Sequence, residues 1–233
     1  MNKESNVYTF VFATVMVVVV AVLLSFTAIT LKPIQQKNIE LERKQNILSS
    51  INIKTTTTDA EDKYNKFIVK LLIVDAKGNS IEGDALSINL EEEMNKPIDK
   101  RKLPLLEAKL DDGETYYIIP LRGKGLWGPI WGYLSLKDDL KTIYGVTFDH
   151  EGETPGLGAE ISTLPFQKQF SGKLIFDNEG NFTSVTVEKS VKNLTEHQVD
   201  GISGGTITSK GVQKMLFDCL SGYLEYFKKH KKQ

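Results

Sequence analysis

From Ser5 to Leu31 the chain carries no charged residue, a run of 27. Roughly 20 apolar residues span a bilayer core as a helix, and 18 or more already argue for a membrane segment. The centre, Val15 to Leu24, holds six valines among ten residues. Such β-branched side chains are mediocre helix formers in water. In hydrocarbon the backbone must satisfy its own hydrogen bonds, so the helix wins. The run exceeds a signal peptide's apolar core, and no clear small-x-small cleavage site precedes Lys32. Residues 1–32 are therefore expected to be a single transmembrane anchor in a lipid bilayer. Lys3 precedes the run, whereas Lys32, Lys37, Arg43 and Lys44 follow it. Counting Lys and Arg alone would place the following chain in the cytoplasm.

Composition removes several function classes. Lys+Arg 29 against Asp+Glu 30 leaves a formal net charge of −1, which lacks the broad basic field of a nucleic-acid binder. One cysteine, Cys219, excludes an intrachain disulfide, a Cys-based zinc site and a cysteine-held iron–sulfur cluster. The histidines, His150, His197 and His230, lie far apart, so no metal site is expected. The G-x-S-x-G, H-E-x-x-H and Rossmann glycine patterns are missing, and the stretch Gly204–Gly211 does not match G-x-x-x-x-G-K-[ST]. No catalytic residues are assigned.

Beyond the anchor, residues 33–60 read as a stalk helix and linker, ending in Thr55-Thr56-Thr57-Thr58-Asp59. Residues 61–233 read as one α+β domain of short strands with a closing helix. Strands are expected over 67–74, 116–121, 130–136 and 143–148, which are rich in β-branched and aromatic residues. A hairpin is expected for 173–176 and 182–187 around Asp177-Asn178-Glu179-Gly180-Asn181. From Lys210 to Lys229, Val212, Met215, Leu216, Cys219, Leu220, Tyr223 and Phe227 recur at helical spacing, with Thr208 or Ser209 as cap.

Three glycine-rich segments are candidates for chemistry. Arg122 to Gly132 places Trp127 and Trp131, two stacking surfaces, among glycines that permit close approach. Read alone, it is more simply a tight inter-strand loop with core tryptophans. His150 to Gly158 contains Glu153, Thr154, Gly156, Leu157 and Gly158 around a Pro-Gly turn, with backbone N–H groups to offer. Asp200 to Ser209 lies directly before the closing helix, where unpaired N–H groups and the dipole favour a phosphate. Its hydroxyls at Ser203, Thr206, Thr208 and Ser209 sit among Gly201, Gly204 and Gly205. It serves equally as an ordinary capping loop. A stacking loop, a donor loop and a phosphate-friendly helix start together describe a flavin-nucleotide site.

The segment Asp200-Gly-Ile-Ser-Gly-Gly-Thr206 resembles the flavinylation motif D-g-x-(s/t)-g-A-T of bacterial FMN-binding domains, with Gly205 where the family usually has alanine. The segments Gly123-Lys-Gly-Leu-Trp-Gly-Pro-Ile-Trp-Gly-Tyr-Leu134 and Phe148-Asp-His-Glu-Gly-Glu-Thr-Pro-Gly-Leu-Gly-Ala159, with the single N-terminal helix, resemble the C subunits of sodium-translocating NADH:quinone reductases. The related G subunits of Rnf electron-transport complexes, or a stand-alone covalent FMN-binding membrane protein, are the alternatives.

The resemblance implies a flavoprotein whose covalent FMN is joined by a phosphodiester bond to Thr206, with Thr208 the fallback. Asp200 and Gly201 would be read by the flavin transferase. Ser203, Gly204, Gly205, Thr208 and Lys210 would surround the phosphate, and Lys210 would bring a positive charge. Glu153, Thr154, Gly156, Leu157 and Gly158 would contact the isoalloxazine, with Trp127 or Trp131 nearby. It further implies one member of a six-subunit translocase that oxidises NADH, reduces ubiquinone and moves sodium across the bacterial inner membrane. In that family the chain is an electron carrier that does not itself bind NADH, and its bulk lies in the periplasm, opposite to the Lys/Arg count.

Overall fold

The computed structural model describes residues 5–189 and 191–231. The uncharged run lies within one helix, α1 (Asn6–Ser50), long and apolar enough to cross a membrane, with a mean hydropathy of 2.8 over its most apolar stretch. The helix continues through Pro33, forgoing one ladder hydrogen bond. The chain divides into two compact units between Arg43 and Lys44.

The second unit is built on one antiparallel sheet. Its strands are β1 (Ile68–Asp75), β2 (Ser80–Glu82), β3 (Lys102–Lys109), β4 (Thr115–Lys124), β5 (Pro129–Leu136) and β6 (Ile143–His150). Their order is β2-β1-β3-β4-β5-β6. The helix α2 (Ala60–Phe67) leads into β1, and the short helices α3 (Leu90–Met94) and α4 (Leu164–Lys168) lie between β2 and β3 and after β6. The expected strands at 116–121, 130–136 and 143–148 are present and extend up to a few residues beyond those bounds. The one expected at 67–74 begins at Ile68, because Phe67 closes a helix, and β2 and β3 were not expected. Side chains alternate between faces, so the strands other than the exposed β2 feed two cores. Leu105, Ile119, Leu121, Ile130 and Leu134 pack with Val212, Met215, Leu216 and Leu220 of α5 (Thr206–Ser221) and with Tyr226 and Phe227 of α6 (Leu224–His230). On the other face Leu106, Ala108, Tyr116 and Ile118 pack with Ile47, Leu48 and Ile51, and with Tyr64 and Phe67 of α2 (Ala60–Phe67). Ser135 fixes that second layer, because its hydroxyl donates to the carbonyl of Ser50 at 2.6 Å. The stretch 33–60, read from sequence as a stalk, thus has Ile47, Leu48, Ser50 and Ile51 buried beneath the sheet, while residues 52–59 run along the surface. The result is a mixed α+β fold, a sheet with helices on both faces.

Two expected elements take a different form. Around 177–181 the turn is present, with the Asp177 carboxylate accepting from the N–H groups of Glu179 and Asn181. Strand pairing there shrinks to one bridge, Phe176 with Phe182. The N–H groups of Thr183 and Ser184 both reach the Ile175 carbonyl, and Ser184 adopts a left-handed φ of 58°, so a bulge turns the chain away. It forms β7 (Thr186–Glu188), which pairs in parallel with β8 (Gln198–Asp200). The closing helix also breaks in two at Gly222 and Tyr223. There a Cβ on Gly222 would strike Leu103 of β3, and the Tyr223 hydroxyl donates to the Pro104 carbonyl. This tight approach to the sheet interrupts the regular helix.

Candidate functional site

The three glycine segments meet at one end of the sheet. The β4–β5 hairpin closes with Gly125 N–H on the Gly128 carbonyl at 2.8 Å. Beside it β6 ends at His150, and the chain runs into a turn in which Leu157 N–H reaches the Thr154 carbonyl. Pro155 and Gly156 fill the turn's middle, Gly156 with the φ of +74° that this position favours. The third segment closes its own turn, Gly205 N–H to the Ile202 carbonyl at 3.0 Å, with Gly204 at φ +76°. It delivers the chain into α5 with Gly205 at the N-cap and Thr206 as the first helical residue.

A single carboxylate joins the three. Glu153 is 5% exposed, and its Oε2 accepts from Thr208 Oγ1 at 2.6 Å. Its Oε1 accepts from Trp127 N–H at 2.9 Å, and Leu126 N–H adds a further bond. Burial by itself would raise the carboxyl's pKa. These hydrogen bonds, with the nearby His150, outweigh it and hold the group below the ordinary glutamate value. The packing leaves no room for larger residues. A Cβ on Gly158 would run into Glu153 Oε2 and Thr208 Oγ1, and one on Gly211 would run into the Lys124 carbonyl.

Residues around this corner divide clearly. Of the three hydroxyls on the first turn of α5, Thr208 and Ser209 are buried and only Thr206 is exposed. Ser209 Oγ accepts from Ile202 N–H, which locks the loop to the helix. The helix start has no side-chain cap, so the expected cap at Thr208 or Ser209 is replaced by Gly205, and both hydroxyls turn inward. Buried Thr208 is correspondingly a poor fallback for attachment. Large apolar groups stand in solvent here: Trp127 is 70% and Ile207 60% exposed, and Leu157 and Leu126 are also exposed. Ser203, Thr154 and Gly156 lie on the surface of their turns. A groove of about 490 Å³ lies on the far side of the hairpin, between Lys124 and Gly128, Lys214 of α5, and Glu91, Met94 and Arg101; Trp127, Glu153 and Thr206 do not line it.

Two sequence expectations are corrected. Lys210 does not bring its charge to the helix start: its ammonium donates to the Val187 carbonyl at 2.7 Å and to Gln213 at 2.9 Å, and lies 3.7 Å from Glu188. Helix phase turns it toward β7. Trp131 does not join Trp127. It is one residue from buried Ile130 and shares strand parity with Tyr133 and Ser135, whose face is the one covered by Ile47, Leu48, Ile51 and α2. Glu153, expected against the isoalloxazine, has both oxygens already committed to protein donors. Asp200 and Gly201 sit at the end of β8, where Gln169 bonds the Asp200 backbone on both sides. An alanine at position 205 would place its Cβ 2.9 Å from Ile202 Cγ2 and 3.1 Å from the Leu157 carbonyl carbon, so glycine suits this tighter loop. Sequence reasoning missed Ile207, an apolar residue on the outward side of a helix's first turn. Its place among four hydroxyl residues was the available signal.

Residues 125–221 match the FMN-binding domain family, a span that contains Trp127, the Glu153 loop and Thr206. The C subunit of the Na(+)-translocating NADH-quinone reductase of Haemophilus ducreyi is 31% identical over 227 residues, 91% of this chain and 88% of that one. The chain belongs to this family of C subunits. Its Neisseria meningitidis (serogroup A) member is 30% identical over 249 residues, covering 99% of this chain and 96% of its own. Among solved structures, the C subunit from Parabacteroides distasonis superposes with a TM-score of 0.78 at 45% identity, covering 84% of this chain and 96% of that chain. The Shewanella oneidensis NqrC structure gives 0.69 at 27% identity, covering 84% and 99%. In this member of the C-subunit family, the FMN-binding match lies wholly within the unit that begins at Lys44.

Proposed function

We propose that this chain is the electron-relay subunit of a Na+-translocating NADH:quinone reductase and carries FMN joined to Thr206 by a phosphodiester bond. The observation that carries the reading is the exposure of Thr206 at an uncapped helix start whose other two hydroxyls are buried. The site's own features suit such a group. The N–H groups opening α5 and the helix dipole favour a phosphate charge, with Ser203, Gly204 and Gly205 keeping the approach low. Trp127, Leu157 and Ile207 expose apolar surface of the kind that otherwise marks a binding site. Thr154, Gly156 and Gly158 bring backbone close to the same corner.

When bound, FMN supplies the redox chemistry, while the protein sets its position and surroundings. A covalent tether keeps the cofactor from dissociating, and no side chain is required as acid or base. Asp200 and Gly201 precede the attachment residue and are offered to a flavin transferase. The apolar part of α1 anchors the chain in the bacterial inner membrane. The remaining domain lies in the periplasm beside the other members of the six-subunit complex. The short N-terminal tail gives the charge rule little to count.

The test is an intact-mass measurement of the full chain after co-expression with a flavin transferase. The expected result is one FMN-sized increment mapping to the Thr206 peptide, flavin fluorescence that survives denaturing electrophoresis, and loss of both in Thr206→Ala. No increment on the parent chain would sink the reading.

A further inference from the structure

Trp127 presents a puzzle: its indole is 70% exposed, so burial does not hold it in place. Its backbone is held instead by a carboxylate that also holds the start of α5. We propose that Glu153 is the positioning residue of the flavin site, fixing Trp127 relative to the Thr206 helix start without itself touching the cofactor. The inference rests on the reading of Thr206 as the flavin-bearing residue.

The physical argument is one of enforced coupling. A carboxylate this deeply buried is strongly disfavoured unless donors surround it. Its donors come from two separate segments: Leu126 and Trp127 on the hairpin tip, and Thr208 on α5. The loop that carries Glu153 adds His150, whose Nδ1 accepts from the Glu153 N–H at 3.2 Å. None of the segments can move away without stranding the charge. Gly125 and Gly158 are the positions that admit the carboxylate, since a Cβ on either would strike one of its oxygens. The corner therefore behaves as one unit, with the indole and the attachment threonine at its two ends.

Glu153→Gln separates the charge from the shape. A carboxylate accepts at both oxygens, but an amide has one acceptor and one NH2, which would face either the Trp127 N–H or Thr208. In flavin-free Thr206→Ala protein, amide exchange at Leu126 and Trp127 is expected to speed up at least tenfold in Glu153→Gln, with Leu134 and Val146 in β5 and β6 unchanged. In the flavinylated chain, loss of the nearby negative charge is expected to raise the flavin's midpoint potential, a change that loosening alone would not give a sign. Thr208→Val provides a milder second test: it removes one donor from α5, and exchange at Leu126 and Trp127 must rise if the carboxylate couples the segments. Unchanged exchange at those two amides in both variants, or an unchanged potential in Glu153→Gln, overturns the proposal. Should Glu153→Gln fail to fold, Thr208→Val decides alone. A parent chain that takes up no flavin would overturn the flavin reading and Glu153's role toward the flavin with it, whereas failure of the exchange measurement, which needs no flavin, would overturn only the coupling through Glu153.

Discussion

Gly158→Ala tests how tightly the corner is built. The added methyl would occupy the space of Glu153 Oε2 and Thr208 Oγ1, the two atoms of the 2.6 Å hydrogen bond. Gly158 does not have a positive φ, so the penalty is steric and not conformational. Two kinds of relief exist. The hydrogen bond opens, at about 1.5–3 kcal/mol for a bond to a charged group, or the loop shifts, at about 1–3 kcal/mol for overpacking. Each partly replaces the other, and the lower entropy of an unfolded alanine returns roughly 0.4–1 kcal/mol. The expected net loss is about 0.5–2.5 kcal/mol. The assay is urea unfolding of the full chain in detergent, followed by circular dichroism, with the midpoint shifted and the slope preserved. Gly152→Ala is the control: it lies in the same loop, and a Cβ there meets nothing within 4 Å. It should stay within about 0.5 kcal/mol of the parent. A loss below about 0.5 kcal/mol in Gly158→Ala, or an equal loss in both variants, would refute the crowded-corner argument.

Three further outcomes are expected. Because hydrogen bonding depresses the Glu153 pKa in the folded chain, its contribution to stability is present above the unfolded value of about 4.3 and is lost as pH falls through the folded value. Urea midpoints from about pH 6 down to about pH 3 should therefore fall less steeply in Glu153→Gln than in the parent. Burial pushes the Cys219 thiol up to about 12, so iodoacetamide should leave it unmodified at about pH 8 until the domain unfolds. Ser135→Ala should cost about 1–3 kcal/mol, because it leaves the Ser50 carbonyl buried without its donor; its effect reads out in the same urea titration.

Much of this molecule was legible along the chain. Four of the sheet's six strands were legible as short β-branched and aromatic runs between turns, whereas β2 and the leucine-rich β3 were not. The Pro155-Gly156 turn was legible because those two residues favour one backbone geometry. The expected 173–187 hairpin failed at Ser184, since nothing in a serine's identity reveals a left-handed φ imposed by two N–H groups sharing one carbonyl. The helix break at Gly222 was likewise invisible, because its cause is Leu103, far away in sequence. Lys210 and Trp131 went astray for a related reason. Residue type says that a side chain is able to bind a phosphate or stack on a ring, but helix phase and strand parity decide which way it points.

What the sequence determined by itself was local: an uncharged run of 27 residues, three glycine-rich segments and a hydroxyl-rich stretch ahead of a helix. Each follows from short-range chemistry, in which hydropathy, backbone freedom and capping act within a few residues. Only the tertiary structure decided that the three segments share one corner, that Thr206 faces out while Thr208 faces in, and that Glu153 lies between them. A buried carboxylate must gather its donors from wherever the fold supplies them, and no reading along the chain shows which distant N–H and O–H groups those are.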